Sequence, residues 1–331
     1  MNIGGNFARS KSAIGSETLP LIDKPMGNGY RSTAITAVAL TTPSSRAMDF
    51  VTLTKPEITF MVLLATGVGS VMASKSLDPL SLLHALFGTT LVASGAATLN
   101  QYLERGHDSK MRRTANRPLP AGRVNPREAL YFGIGLSVTG TFYLAVIANI
   151  LTSVIGVAAL LSYLFLYTPL KRRTYLCTLI GAFPGAAPVL MGWSAAQGSL
   201  APQAWLLYAT LFLWQFPHFL AIAWLYREDY AQASMLMVPD EHNKIAGTFR
   251  QMWIASLALI VTTLAPSFIG MTGSLYLYFA LFFGLGLLFF VHCAALIRSK
   301  KAARQLLHAT VIYLPVLYLV MILDKAASRI G

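Results

Sequence analysis

Asn100, Glu104 and Asp108 stand four residues apart in the run Asn100-Gln-Tyr-Leu-Glu104-Arg-Gly-His-Asp108, where an apolar stretch ends. On a helix, residues at this spacing project from nearly the same face, about 6 Å apart along the axis. An amide and two carboxylates in a row offer hard oxygen atoms. Magnesium prefers such ligands and is usually held by one or two carboxylates plus substrate phosphates. The residues that follow, Ser109-Lys110-Met-Arg112-Arg113-Thr-Ala-Asn-Arg117-Pro118-Leu-Pro120, are rich in cations that suit a diphosphate. A loop that only orients the chain in a membrane accounts for the Lys and Arg. It does not account for carboxylates in register with Asn100.

Two further segments carry chemistry. Tyr167-Thr168-Pro169-Leu-Lys171-Arg172-Arg173-Thr174 has two readings. It is a run of cations that ends a membrane segment, or Lys171 and Arg173 reach phosphate oxygens, which a guanidinium can grip in a bidentate fork. The other segment runs Trp214-Gln215-Phe216-Pro217-His218-Phe219, then Arg227-Glu228-Asp229-Tyr230, then Pro239-Asp240-Glu241-His242. His218 falls inside an apolar run, and an ionisable group there marks a functional position by default. With Gln215 about one turn before it, His218 reads as lining a cavity. His107 and His242 fall in loops and stay open. His84, His292 and His308 lie near no acidic cluster and read as structural or interfacial.

The elements that must position these groups are membrane helices. Of the 331 residues 55% are hydrophobic and 12% charged, and the mean hydropathy is +0.57. A soluble core of this size cannot hide so much apolar surface, so the chain is a polytopic membrane protein. Nine stretches are long enough to cross hydrocarbon, near 52–73, 79–102, 128–147, 150–169, 175–195, 202–225, 247–268, 274–297 and 305–324. The fifth contains Gly181, Pro184, Gly185 and Pro188 and should be kinked. Residues 1–47 read as a polar, disordered tail or a weak targeting segment ahead of one nine-helix domain, 48–331. Cys177 and Cys293 are far apart in apolar segments and read as packing residues.

The net charge of +13 does not point to nucleic acid, because the cations sit between apolar runs rather than along one stripe. Six lie in the tail through Lys55, seven in the second loop, three in the fourth, three in the sixth and four in the eighth. That puts 23 of 26 on one side. The positive-inside rule then sets the N-terminus in the cytoplasm and the C-terminus outside. Eleven of the thirteen acids share the cytoplasmic side or its border. A transporter with a midplane ion site would place its acids at helix midpoints instead, which disfavours that class.

The motifs Asn100-x3-Glu104-x3-Asp108, Arg112-Arg113-Thr114-x-x-Arg117-Pro118-Leu119-Pro120, Thr168-x-x-Lys171-Arg172-Arg173-Thr174 and Gln215-Phe-Pro-His218-Phe together resemble the intramembrane aromatic prenyltransferases of the UbiA superfamily. The last three narrow the likeness to its heme branch, over about residues 48–325. The resemblance implies an all-α bundle of nine transmembrane helices around a central cavity. It also implies transfer of a farnesyl group from farnesyl diphosphate to the 2-vinyl group of heme B, a step in making heme O and heme A for terminal oxidases. Carried over by position, Asn100, Glu104 and Asp108 would bind magnesium (Mg²⁺) and its diphosphate. Lys110, Arg113, Arg117, Lys171 and Arg173 would neutralise the diphosphate oxygens.

Gln215, His218 and Phe219 would face the heme, which is a substrate rather than a cofactor. Tyr102, Phe216 and Phe219 could shelter an allylic cation. The implied partners are farnesyl diphosphate, heme B, the bilayer and a downstream enzyme that modifies heme O. The implied place is the bacterial inner membrane, with the mitochondrial inner membrane as the alternative and the active site on the cytoplasmic side. Two departures stand out. Glu104 occupies a position where many superfamily members have Asp. The second Asp-x-x-x-Asp motif of the quinone-type relatives is absent, since Asp229 has Ala233 four residues on. Asp229, with Glu228, becomes the substitute to test as a catalytic residue, and a quinone or other aromatic acceptor becomes the competing reading.

Overall fold

The structure is a computed structural model that describes residues 45–76, 78–237 and 242–327, with the backbone alone at 242–245 and 326–327. The tail up to residue 44 and the acids of Pro239-Asp240-Glu241 lie outside the described residues. Among these, nine helices are long and apolar enough to cross a membrane. They are α2 (Pro56–Ala73), α3 (Pro79–Asp108), α4 (Pro126–Ala148), α5 (Ile150–Leu170), α6 (Cys177–Gln197), α7 (Pro202–Leu225), α9 (Ala246–Phe268 of a helix that starts at His242), α10 (Ser274–Ile297) and α11 (Lys300–Lys325). Two short helices sit at the cation-rich end: α1 (Arg46–Leu53) and α8 (Arg227–Gln232).

Proline punctuates the starts. Pro56, Pro79, Pro126 and Pro202 each occupy the first turn of a span, where the missing N–H costs nothing. Pro56 also corrects the first expected span. The apolar run suggested one helix from residue 52, but a proline disfavours helical backbone in the residue before it. The chain breaks there, Lys55 takes a left-handed conformation (φ 49°), and α1 forms separately. Helix α3 departs in the other direction. It continues six residues past the expected end at 102, to Asp108, and so holds all three candidate ligands on one rigid element.

Helices α6 and α7 form the centre of the bundle. Helix α6 packs against α2, α3, α5 and α7, and α7 against α6, α9 and α11. The contact of α2 with α6 is backbone to backbone: a Cβ on Gly192 would collide with the Thr66 carbonyl, and one on Gly69 with the Val189 carbonyl. Small residues at such crossings let membrane helices approach closely. The main core joins Val68, Trp193, Leu207, Trp214, Leu259, Tyr276, Leu314 and Tyr318 from six of the spans. Large apolar side chains such as Phe142, Ile150, Val261, Phe282 and Leu296 remain exposed on the outside, as lipid-facing residues do.

Two spans contain a wide, π-helical turn, Leu144–Ala148 at the end of α4 and Ser162–Tyr167 near the end of α5. Such turns are rare and often lie at functional sites. The second one carries Tyr163 and Tyr167, stacked on each other at 5.4 Å, into the neighbourhood of Lys171.

Candidate active site

The site is built from the last turns of α3 outward. Asn100, Glu104 and Asp108 are 1%, 7% and 1% exposed, so three polar side chains in register are buried together. Buried polar groups need partners. Each of the three has a cation. Lys55 Nζ donates to Asn100 Oδ1 at 2.8 Å, Lys171 Nζ to Glu104 Oε1 at 2.8 Å, and Arg117 Nη1 pairs with Asp108 Oδ2 at 2.8 Å. Asn100 Nδ2 donates to Thr168 Oγ1, whose hydroxyl in turn donates to the Tyr163 carbonyl in the wide turn of α5. The spans α2, α3 and α5 thus meet at three residues of one helix face.

The loop between α3 and α4 lies over this end and is fastened at both sides. Leu119 of the Arg117-Pro118-Leu119-Pro120 segment packs with Leu53, Val124 and Ala129, while Met111 packs with Cys177, Ala223, Tyr230 and Met235. The apolar anchors fix the loop, and Arg117 is then free to point back at Asp108. Thr114 Oγ1 donates to the Asp108 carbonyl at 2.8 Å, which ties the loop to the helix end. On its α1 side, Arg123 pairs with Asp49 at 2.9 Å. On its α8 side, the Arg113 backbone N–H donates to Asp229 Oδ2 at 3.3 Å.

The electrostatics follow from this crowding. Burial pulls the Lys55 pKa down to about 7, with Arg117 pushing further, Glu104 opposing, then Lys171 pushing and Asp108 opposing. Burial also works against the charge of Lys171, but the Glu104 carboxylate outweighs it and holds the ammonium well above the usual lysine range. Lys171 also sits 4.4 Å over the Tyr167 ring. A cleft of about 200 Å³ opens beside Glu104, lined by Leu103, His107, Leu164, Phe165, Arg172 and Met235 among others.

The structure therefore brings together Asn100, Glu104, Asp108, Arg117 and Lys171 of the residues singled out in the sequence. Others point elsewhere. Arg113 lies over the rings of Tyr226 and Tyr230 and donates to the Tyr230 hydroxyl, and Lys110 is exposed. Arg173 is exposed too, and its neighbour Arg172 is the one that lines the cleft beside Glu104. Asp229 holds the α3–α4 loop, and Glu228 pairs with Lys300 at the surface. Tyr102 carries the Arg105 guanidinium over its ring.

The acceptor residues divide likewise. Gln215 is buried in the seam of α6 and α7, where its Nε2 donates to the Ala182 carbonyl and its Oε1 fills the space that Gly185 leaves. His218 is stacked on Trp214 at 4.7 Å and bonded through Nδ1 to Thr310 Oγ1 at 2.9 Å. Phe219 lies against the His218 ring and Phe216 is buried with Ala182 and Ala255. His84 bonds the Tyr143 hydroxyl and His292 stands edge-on to Trp253, in keeping with structural roles. Sequence reasoning missed Lys55, Thr168 and Tyr163 as site residues. Lys55 counts in the sequence only among the tail cations, and nothing in the local pattern says that it turns inward.

The residues fit a magnesium ion that arrives with phosphates. Among the described residues no three His, Cys, Asp or Glu side chains form a cluster of their own that could hold a metal. The set present is two carboxylates and an amide, short of an all-protein cage, and magnesium sites are completed by substrate oxygens in that situation.

Residues 62–314 match the UbiA prenyltransferase family. The chain belongs to this family. Among its UbiA relatives, the protoheme IX farnesyltransferase of Solibacter usitatus is 47% identical over 84% of this chain and 98% of its own length. That of Koribacter versatilis is 40% identical over 85% and 94%. Among solved folds, a UbiA homologue from Aeropyrum pernix superposes with a TM-score of 0.65 at 18% identity, covering 82% of this chain and 98% of its own. A UbiA homologue from Archaeoglobus fulgidus, bound to GPP and Mg²⁺, superposes with a TM-score of 0.61 at 14% identity, covering 83% and 99%. The fold is therefore the UbiA fold, a multi-pass helical membrane protein.

Proposed function

We propose that the chain transfers the farnesyl group of farnesyl diphosphate to the 2-vinyl group of heme B, giving heme O. The observation that carries the diphosphate half is the face Asn100–Glu104–Asp108, buried and matched cation for ligand by Lys55, Lys171 and Arg117. The acceptor half is supported by the relatives, which are named protoheme IX farnesyltransferases at up to 47% identity over most of the chain. We also propose that the cation-rich end faces the cytoplasm of a bacterium, from the distribution of Lys and Arg.

The reaction needs no protein nucleophile. Magnesium supplies charge stabilisation to the leaving diphosphate. Asn100, Glu104 and Asp108 orient the diphosphate end of the substrate, and Lys171 and Arg117 take up its developing charge. Fixed charges aimed at the group where charge develops, in a site shielded from water, are the strongest catalytic device available to a protein. The C1–oxygen bond of the farnesyl group breaks with its electron pair on the diphosphate. The terminal vinyl carbon of heme forms the new carbon–carbon bond to C1, and water adds to the cation left on the vinyl group with loss of a proton. The stacked pair Tyr163–Tyr167 offers π faces beside this charge. His218, held at Nδ1 by Thr310, has Nε2 for a second partner, and we assign that partner to the heme.

The test is direct. Membranes holding the expressed protein, given heme B, farnesyl diphosphate and Mg²⁺, should yield a porphyrin heavier than heme B by one farnesyl group and one hydroxyl group. A product in which a quinone precursor, and not heme, carries the prenyl group would refute the acceptor assignment.

A further inference from the structure

Thr310 of α11 is fully buried and reaches His218 of α7 across the seam between the two helices. Its hydroxyl makes two contacts: it donates to the Leu307 carbonyl at 2.7 Å and meets His218 Nδ1 at 2.9 Å. A threonine hydroxyl has one hydrogen and two lone pairs. With the hydrogen on Leu307, the hydroxyl accepts from the ring, so Nδ1 carries the imidazole proton. The reverse arrangement, a hydroxyl that donates to Nδ1, makes one hydrogen bond where this one makes two. It also puts the ring proton on Nε2, which has no partner among the described residues. Hydrogen bonds left unmade by buried groups are costly. The ring is therefore held as the Nδ1–H tautomer, with a bare lone pair on Nε2.

The rest of the seam fixes the ring in place. Trp214 stacks on it at 4.7 Å with 18° between the planes, and the Trp214 Nε1–H donates to the Thr310 carbonyl at 2.9 Å. A flipped ring would present a carbon to Thr310 in place of Nδ1.

A bare lone pair narrows what His218 can hold on a heme. The propionates are anions and need a donor, which Nε2 without a proton is not. The vinyl groups have no site for a lone pair. The iron does, and imidazole nitrogen is one of its common axial ligands. A hydrogen-bond acceptor on the far nitrogen is the usual companion of a ligating histidine. Ligation at the iron also sets the porphyrin plane across the new bond, so a vinyl group at the rim takes a fixed place without any polar contact of its own.

We infer that Thr310 is a positioning residue that fixes the tautomer of His218, and that His218 Nε2 ligates the heme iron, so that the site selects metal-containing over metal-free porphyrin. The inference rests on the reading of this chain as a heme farnesyltransferase and deepens it at the acceptor.

Two measurements made without farnesyl diphosphate test it. Detergent-purified protein is loaded with ferrous heme B and its iron–histidine stretch is read by resonance Raman. Affinities for heme B and for iron-free protoporphyrin IX are titrated by absorbance. Wild type should show the stretch and bind heme B about tenfold or more tightly than the iron-free porphyrin. His218→Gly should lose both the stretch and the preference, and added imidazole should restore the stretch. Thr310→Val should lower the stretch frequency, because Nδ1–H has lost its acceptor and the ring is a weaker donor to iron, and should weaken heme B binding about tenfold. Thr310→Ser should restore both, and Thr310→Ala serves if Thr310→Val does not fold. An unchanged frequency without the hydroxyl overturns the role of Thr310. Wild-type protein whose heme lacks the stretch, or which shows no preference for heme B, overturns the ligation, while farnesyl transfer, judged by product mass, still stands. Wild-type protein that neither binds heme B nor farnesylates it overturns both.

Discussion

At the scale of single residues, the site shows why charge and stability have to be separated in its variants. Glu104 and Lys171 form a nearly buried pair, and removing one member of such a pair leaves the other charge unsatisfied, at a cost of roughly 3–5 kcal/mol. Glu104→Ala should therefore lose activity and thermal stability together. Glu104→Gln keeps an acceptor for Lys171 but loses the carboxylate. It should lower turnover by about a hundredfold or more while its unfolding temperature in detergent stays within a few degrees of wild type. Normal turnover in Glu104→Gln at saturating Mg²⁺ would remove Glu104 from the site. His218 invites the same separation. If its role is toward heme, His218→Ala should weaken heme binding by about tenfold and leave farnesyl thiodiphosphate binding unchanged. Equal loss for both ligands would instead make it a packing residue of the Trp214–Thr310 seam.

At the scale of elements, what the sequence made legible depended on whether local pattern or tertiary contact decides. The nine spans follow from the length of apolar runs, and the Asn100–Glu104–Asp108 face follows from helical period, so both could be read directly. Where Lys55 points could not be read, because a residue before proline is expected in extended backbone and this one is left-handed. Arg113 and Arg117 look equivalent in sequence. Only the burial of Met111 on one side and Leu119 on the other decides that Arg117 turns to Asp108 and Arg113 to the tyrosines. The close crossing of α2 and α6 belongs to this tertiary class too. Gly192 touches the Thr66 carbonyl, so Gly192→Val forces the two helices apart. It should destabilise the protein by about 1–3 kcal/mol, seen as a lower unfolding temperature in detergent. Full stability of that variant would mean that the two helices have room to separate without loss.

At the scale of the whole molecule, the site and the charge pattern support each other. Alternating spans bring the start of α2, the end of α3, the end of α5 and the end of α7 to one end of the bundle, which is where the cations and most of the acids lie. A membrane protein needs cations on one side to set its orientation, and a diphosphate site needs cations around its ligands. On the proposed reading one set of residues serves both purposes: Lys55, Arg117 and Lys171 count toward orientation and also hold the ligand face. The orientation can be tested separately from the chemistry, by reporters fused at loops on either side of the bundle. An enzyme active only in the cytoplasm should work when fused after Arg123 or after Arg304, both at the cation-rich end, and should fail when fused after Ser199, between α6 and α7. An active Ser199 fusion, with inactive fusions at the other two points, would invert the bundle and place the diphosphate site on the far side of the membrane. A soluble substrate made in the cytoplasm could not reach it there, so this outcome would weigh against the farnesyl transfer as well as the topology.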